Sequence, residues 1–228
     1  MNALEFIDPN PHHHDLNPVI WDNKVMRPQI RVKLLAIAKH FAQYLGVSRL
    51  YLKDVTLSGS SAGYNYSAYS DIDLHLVVNR IESEELFTAK KNLYNIQHDL
   101  HIHSIPVELY VQSAHQPHHS AGIYSVLDDR WIAEPVHEEP STDPQDIKRK
   151  ARNYAGKINM AIKRGSLKQS QEVMSELKRL RRAGLESGGE QSVENLAFKL
   201  LRARGQITKL SKYITKLESS KLSLEDNK

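Results

Sequence analysis

Three carboxylates and one turn of small residues are where the residue types and spacing of this sequence can do chemistry. From Asp71 to Val78 the chain reads DIDLHLVV, an alternation that puts Ile72, Leu74, Leu76 and Val78 on one face of a strand. Asp71, Asp73 and His75 fall on the other. A second alternating stretch, PVELYVQ, sets Val107, Leu109 and Val111 against Glu108, Tyr110 and Gln112. If the two strands are neighbours, Asp71, Asp73 and Glu108 converge. Like charges that close are unfavourable, so either their pKa values rise or a cation compensates them. Magnesium suits the second case: it takes carboxylate oxygens, keeps some waters and completes its shell with substrate phosphates.

Twelve residues before Asp71, at the end of the short strand Val55-Thr56-Leu57, stands Gly59-Ser60 in the small, flexible stretch Ser58 to Ser61. Glycine lets the backbone approach a ligand, and such a turn offers N–H groups and a hydroxyl to phosphate oxygens. Either acidic strand alone reads as a solvated edge; with the Gly-Ser turn at this spacing the two read as a site. His75 shares the acid face and either contacts substrate or backs the site. The other histidines, including His12 to His14, His98, His101, His103, His118 and His119, show no helical pair with an acid at metalloprotease spacing and read as scattered surface residues.

The elements that must position these residues follow from periodicity. Residues 1–27, rich in Pro, Asn and His, read as an extended lead-in anchored by Trp21. Ile30, Leu34, Ile37, Ala38, Phe41 and Leu45 mark an amphipathic helix with Pro28 at its start and Gly46 past its end. A helix over 82–99 is expected to show its stripe through Leu86, Leu93, Ile96 and Leu100. Residues 113–142, punctuated by Pro117, Gly122, Tyr124, Trp131, Pro135 and Pro140, read as irregular structure wrapping the core. Asp143, Pro144 and Asp146 then make a helix start, with a stripe of Ile147, Ala151, Tyr154, Ile158 and Ile162. Gly165 ends that helix, Ser166 with Gln169 caps the next, and Leu167, Met174, Leu177 and Leu180 continue it. After Gly188-Gly189, one last helix carries a four-heptad seam: Val193, Leu200, Ile207 and Ile214 with Leu196, Ala203, Leu210 and Leu217. That seam can pack on its own helices or pair with another chain.

The stretch LSGSSAGYNYSAYSDIDLHLVV resembles the Gly-Ser, spacer, Ser-Asp-x-Asp signature of the DNA polymerase beta-like nucleotidyltransferase superfamily, and Glu108 in IPVELYV is placed like its third carboxylate. The order of elements over about residues 28–112 is similar to the minimal core of that family. A looser likeness, through LNPVIWDN and HSAGIYSVLDDRWIAEP, is to uncharacterised bacteriophage nucleotidyltransferase-like proteins. The resemblance implies a nucleotidyltransferase core, a small mixed sheet flanked by helices in the domain 28–142; with the all-helical region that caps and stripes give over 143–228, the expected fold class is α+β. It implies two Mg2+ or Mn2+ ions, with Asp71 and Asp73 bridging them and Glu108 holding the catalytic one and helping to deprotonate the acceptor. Gly59, Ser60, Ser61 and Ser70 would bind the nucleotide, ATP or another NTP, for in-line transfer of a nucleoside monophosphate to a hydroxyl. A member that has lost turnover would instead be a binding module for nucleotide or nucleic acid, or part of a phage assembly. The spacer AGYNYSAY lacks the Arg or Lys common in relatives. Tyr64, Tyr66 and Tyr69 occupy it, as rings that stack on a base or pack on the body.

Composition bounds the rest. At 228 residues, with 40% hydrophobic and 25% charged residues, the chain has the make-up of a folded globular protein. Having no cysteine, it excludes disulfides, thiolate metal sites and cysteine nucleophiles. No basic-then-apolar leader opens it and no stretch nears the ~20 apolar residues of a membrane span, so the expected location is the cytoplasm, the host's if phage-encoded. Residues 1–144 hold 11 Lys and Arg against 18 Asp and Glu, whereas residues 145–228 hold 20 against 9. The basic part is suited to RNA, another polyanion or an acidic surface of the same chain. Its few aromatics, Tyr154, Phe198 and Tyr213, argue against single-strand stacking.

Overall fold

The computed structural model describes residues 8, 11–47, 51–79, 83–116, 120, 122–137 and 142–223. The start of the lead-in, Glu82, Pro117, His118, His119 and Pro140 lie outside the described residues. The chain divides into two compact units, of which one is Pro11–Glu139 and the other includes Pro140–Lys228. Among the described residues no helix is long and apolar enough to cross a membrane.

The first unit is built on a six-stranded mixed sheet. Its lead-in is a hairpin rather than a plain extended segment: β1 (Trp21–Asp22) pairs with β2 (Val25–Met26) across Asn23 and Lys24, both at positive φ. Trp21 is buried, stacked 4.6 Å from Trp131. Helix α1 (Pro28–Leu45) buries Ile30, Leu34, Ala38, Phe41 and Leu45, and Gly46 closes it by donating to the carbonyls of Ala42 and Gln43. Then come β3 (Leu52–Ser58), β4 (Ile72–Val78), helix α2 (Glu84–Gln97), β5 (His101–Ile102), β6 (Ile105–Ser113), β7 (Ile123–Ser125) and β8 (Arg130–Ala133). The sheet order is β5-β6-β4-β3-β7-β8, with β4 and β6 parallel and the other pairs antiparallel. Ile72, Leu74, Leu76 and Leu109 are fully buried and share one core with Ile30, Leu34 and Phe41 of α1. The opposite face carries the acids.

Two expectations change here. Helix α2 turns Phe87 and Tyr94 to the core, and leaves Leu86, Leu93 and Ile96 exposed. The two stripes lie one residue apart, and the aromatic one wins because it buries more area and because Asn95 fixes the rotation. Its side chain donates to the Leu109 carbonyl and accepts from the Leu109 N–H at 2.9 and 3.1 Å, capping the outer edge of β6. Residues 113–142 also supply sheet: β7 and β8 pair through Tyr124 opposite Trp131. At three and four residues, these strands are too short for alternation to register.

The second unit is helical: α3 (Pro144–Lys163), α4 (Leu167–Gly188), α5 (Val193–Ala203) and α6 (Gln206–Leu222). Asp143, Ser166 and Ser192 cap α3, α4 and α5 by accepting the N–H groups of Gln145, Gln169 and Asn195. The single last helix expected from the heptads is two, because Gly205 adopts a left-handed conformation at φ 68°. Leu196, Leu200 and Leu210 of the seam are buried with Ile147, Ala151, Ile158 and Leu177, so the seam packs within its own unit.

Candidate metal and nucleotide site

Strand register builds the acid cluster. In the parallel pair of β4 and β6, Asp73 stands beside Glu108 and His75 beside Tyr110. Since Ile72 and Leu74 are drawn into the core, Asp71 and Asp73 must point to the opposite face, where Glu108 meets them. One carboxylate oxygen from each of Asp71, Asp73 and Glu108 lies within 4.8 Å of the others, and all three residues are partly buried. Among the described residues this is the group of metal-ligating side chains that converges; His98 packs on Tyr94, and His101 lies near Asp99.

Gly59 explains why the turn needs glycine. It follows β3, where Ser58 is registered with Asp73, and adopts φ 73° and ψ −162°. A Cβ there would lie 2.1 Å from Oδ2 of Asp73. The loop is thus pressed onto the carboxylate with no room for a side chain. The next residues form a 3-10 turn, Ser60–Ala62.

The hydroxyls of the turn divide between two tasks. Ser61 is fully buried and donates to the Asp71 carbonyl at 2.6 Å, fixing the main chain at the first acid. Ser60 donates to Oγ of Ser70 at 2.8 Å, and the same oxygen accepts the Ser67 N–H at 2.9 Å. The spacer is therefore closed on itself by a hydroxyl bridge. The Gly59 N–H, a phosphate donor on the sequence reading, donates to Oγ of Ser120 at 2.9 Å. Nothing in the sequence around Ser120 signals that contact.

The lead-in holds the turn from behind. Trp21 Nε1 donates to the Ser61 carbonyl at 2.8 Å and the His13 N–H to the Tyr64 carbonyl at 2.8 Å, while a His13 ring nitrogen lies 2.9 Å from the Tyr66 carbonyl. Three carbonyls of the Gly-Ser turn and spacer are thereby engaged by the N-terminal segment.

Beside the acids lies a second polar row. The Tyr110 ring stacks on His75 at 4.9 Å, and Ser58 Oγ lies 3.1 Å from Nε2 of His75. Lys91 sits over the Tyr110 ring, 4.7 Å from its centroid. Burial, then the negative charges of Asp73 and Glu108 and the hydrogen bond to Glu108, hold the Tyr110 hydroxyl well above the ordinary phenol range. It stays protonated and donates to Glu108. Its place two residues after Glu108 on one strand was the sequence signal for this role. Three hard oxygen donors so close together, with Gly59 pressed against one of them, Asp73, form a donor set suited to a divalent cation such as Mg2+.

The chain matches no protein-family model and no curated protein. Among solved structures it is similar to a STING-associated CdnE c-di-GMP synthase from Capnocytophaga granulosa, at 14% identity over 86% of this chain and 84% of that one, with a TM-score of 0.23. So loose a superposition carries no argument about chemistry, which rests on the residues described above.

Proposed function

We propose that this protein is a metal-dependent nucleotidyltransferase that moves a nucleoside monophosphate from an NTP to a hydroxyl acceptor. The observation that carries this reading is the convergence of Asp71, Asp73 and Glu108 oxygens within 4.8 Å against a glycine that a methyl group would drive into Asp73. Asp71, Asp73 and Glu108 would hold the two divalent cations. Bound there, the cations supply charge neutralisation at the transferring phosphoryl group and acidify the acceptor hydroxyl.

The chain's own residues do the rest. Ser60 and Ser70, bridged to each other, and the backbone from Gly59 onward line the place for the triphosphate. Ser61 acts by fixing the backbone at Asp71. The Glu108 carboxylate takes the acceptor's proton as the acceptor oxygen bonds to the α-phosphorus and the bond to pyrophosphate breaks. Tyr110 steadies that carboxylate from one side. The excess of 20 basic over 9 acidic residues in 145–228 supports RNA as the acceptor class, with retention that falls as salt rises.

A second reading, a module that binds nucleotide or nucleic acid without turnover, is favoured by one observation. The spacer has no Lys or Arg and the Gly59 N–H is engaged by Ser120, which lowers the number of phosphate donors.

Incubation with each NTP radiolabelled at the α-phosphate, Mg2+ or Mn2+ and candidate acceptors separates the two. The first reading expects label transfer by the wild type and background transfer by the Asp71→Ala/Asp73→Ala protein. Binding of NTP without transfer under all conditions selects the second. No binding and no transfer by either protein would refute both.

A further inference from the structure

We propose that Tyr69 is the platform on which the base of the bound nucleoside triphosphate stacks, an inference that rests on the nucleotidyltransferase reading above. Three tyrosines stand between the Gly-Ser turn and the acids, and the structure assigns them different surroundings. Tyr66 lies flat against His13, with ring centroids 3.9 Å apart and planes at 15°. Tyr64 packs 4.2 Å from His137, and its carbonyl accepts the His13 N–H. Both rings are part-buried, Tyr66 spent on holding the N-terminal segment to the loop and Tyr64 on packing against His137.

Tyr69 differs, at 52% exposed. Its exposure is not that of a loose loop, because the backbone beneath it is pinned. The Tyr69 N–H donates to Oγ of Ser67 at 3.1 Å, the Ser67 N–H to Oγ of Ser70 at 2.9 Å, and the Ser70 N–H back to the Ser67 carbonyl at 3.1 Å. Ser70 Oγ also accepts the Ser60 hydroxyl, which ties this turn to the Gly-Ser turn. Tyr69 is two residues from Asp71, a backbone span of at most about 7 Å. A large ring on a rigid turn, rooted between the triphosphate loop and the first acid, is placed for the base rather than for the reacting phosphate.

Stacking on a single aromatic face tolerates every base and contributes of order 10- to 100-fold in affinity. The prediction is therefore broad use of NTPs with a shared dependence on this ring.

The intact Tyr69→Trp variant is titrated with each NTP and, separately, with tripolyphosphate, both with Mn2+, reading tryptophan fluorescence. Tyr69→Ala and Tyr69→Phe are compared with wild type by calorimetry. The expected results are quenching by NTPs but not by tripolyphosphate, a 10- to 100-fold weaker NTP affinity in Tyr69→Ala, unchanged tripolyphosphate affinity, and near wild-type behaviour in Tyr69→Phe. Equal NTP affinity in Tyr69→Ala and wild type, with tripolyphosphate still bound, would overturn the role of Tyr69 and leave the nucleotidyltransferase reading standing. Failure of wild type to bind either ligand would overturn both.

Discussion

Gly59 is the residue at which backbone conformation and site chemistry meet. Its φ of 73° with ψ of −162° falls in a region that only glycine occupies readily, and a Cβ would collide with Oδ2 of Asp73. Gly59→Ala therefore carries two penalties: backbone strain of roughly 1–3 kcal/mol, and displacement of a carboxylate from the cluster. Gly205→Ala is the control, since Gly205 also has positive φ but nothing lies within 4 Å of its missing Cβ. Chemical denaturation should show both proteins destabilised, whereas Mn2+ affinity should fall in Gly59→Ala alone. Equal Mn2+ affinity in the two would separate Gly59 from the site. Asp71, Asp73 and Glu108 were legible because strand alternation alone decides which way they point. The contacts of Ser120 and His13 with the loop were not, since each joins segments more than 50 residues apart with no periodic signal.

At the scale of elements, the ion pair between Lys150 of α3 and Glu194 of α5 tests how the helical unit holds together. Its hydrogen bond to Lys150 is the largest influence lowering the Glu194 carboxyl below the ordinary 4.5. A carboxyl lowered in the folded chain adds stability that is present above 4.5 and is lost as pH falls through the lowered value. With both side chains about one-third exposed, the pair is worth about 0.5–1 kcal/mol. Glu194→Gln should lose that much at pH 7 and show a shallower decline in denaturation midpoint below pH 4.5, followed by circular dichroism. An unchanged midpoint at pH 7 would mean the pair contributes nothing. The same scale shows what limits a sequence reading. Helices α1 and α3 were legible because helix-start residues and stripes agree, and the acid strands because alternation is strict; α4 was legible by its Ser166 cap, but of its expected stripe only Met174 and Leu177 join the core, not Leu167 or Leu180. Helix α2 was misoriented because Leu86 and Phe87, and Leu93 and Tyr94, offer adjacent stripes that only the packed core chooses between. The break at Gly205 was hidden because heptad spacing continues across it.

For the whole molecule, charge is segregated along the chain, with the carboxylate cluster in its acidic portion and the excess of Lys and Arg after residue 144. Sequence showed that partition directly. Whether the acid face works as a site depends on something the sequence does not encode locally, the parallel pairing that sets Asp73 beside Glu108 across 35 residues. If these carboxylates bind a divalent cation, the folded protein gains stability by mass action, about 2.7 kcal/mol at a concentration 100 times the dissociation constant. The most direct measurement is thermal unfolding of the intact wild type and of Asp73→Asn, each in EDTA and across a Mn2+ titration. A rise in Tm with Mn2+ for the wild type, steepened by NTP and absent in Asp73→Asn, is the predicted result. The same Tm response in both proteins, or none in the wild type, would contradict a metal site at Asp71, Asp73 and Glu108.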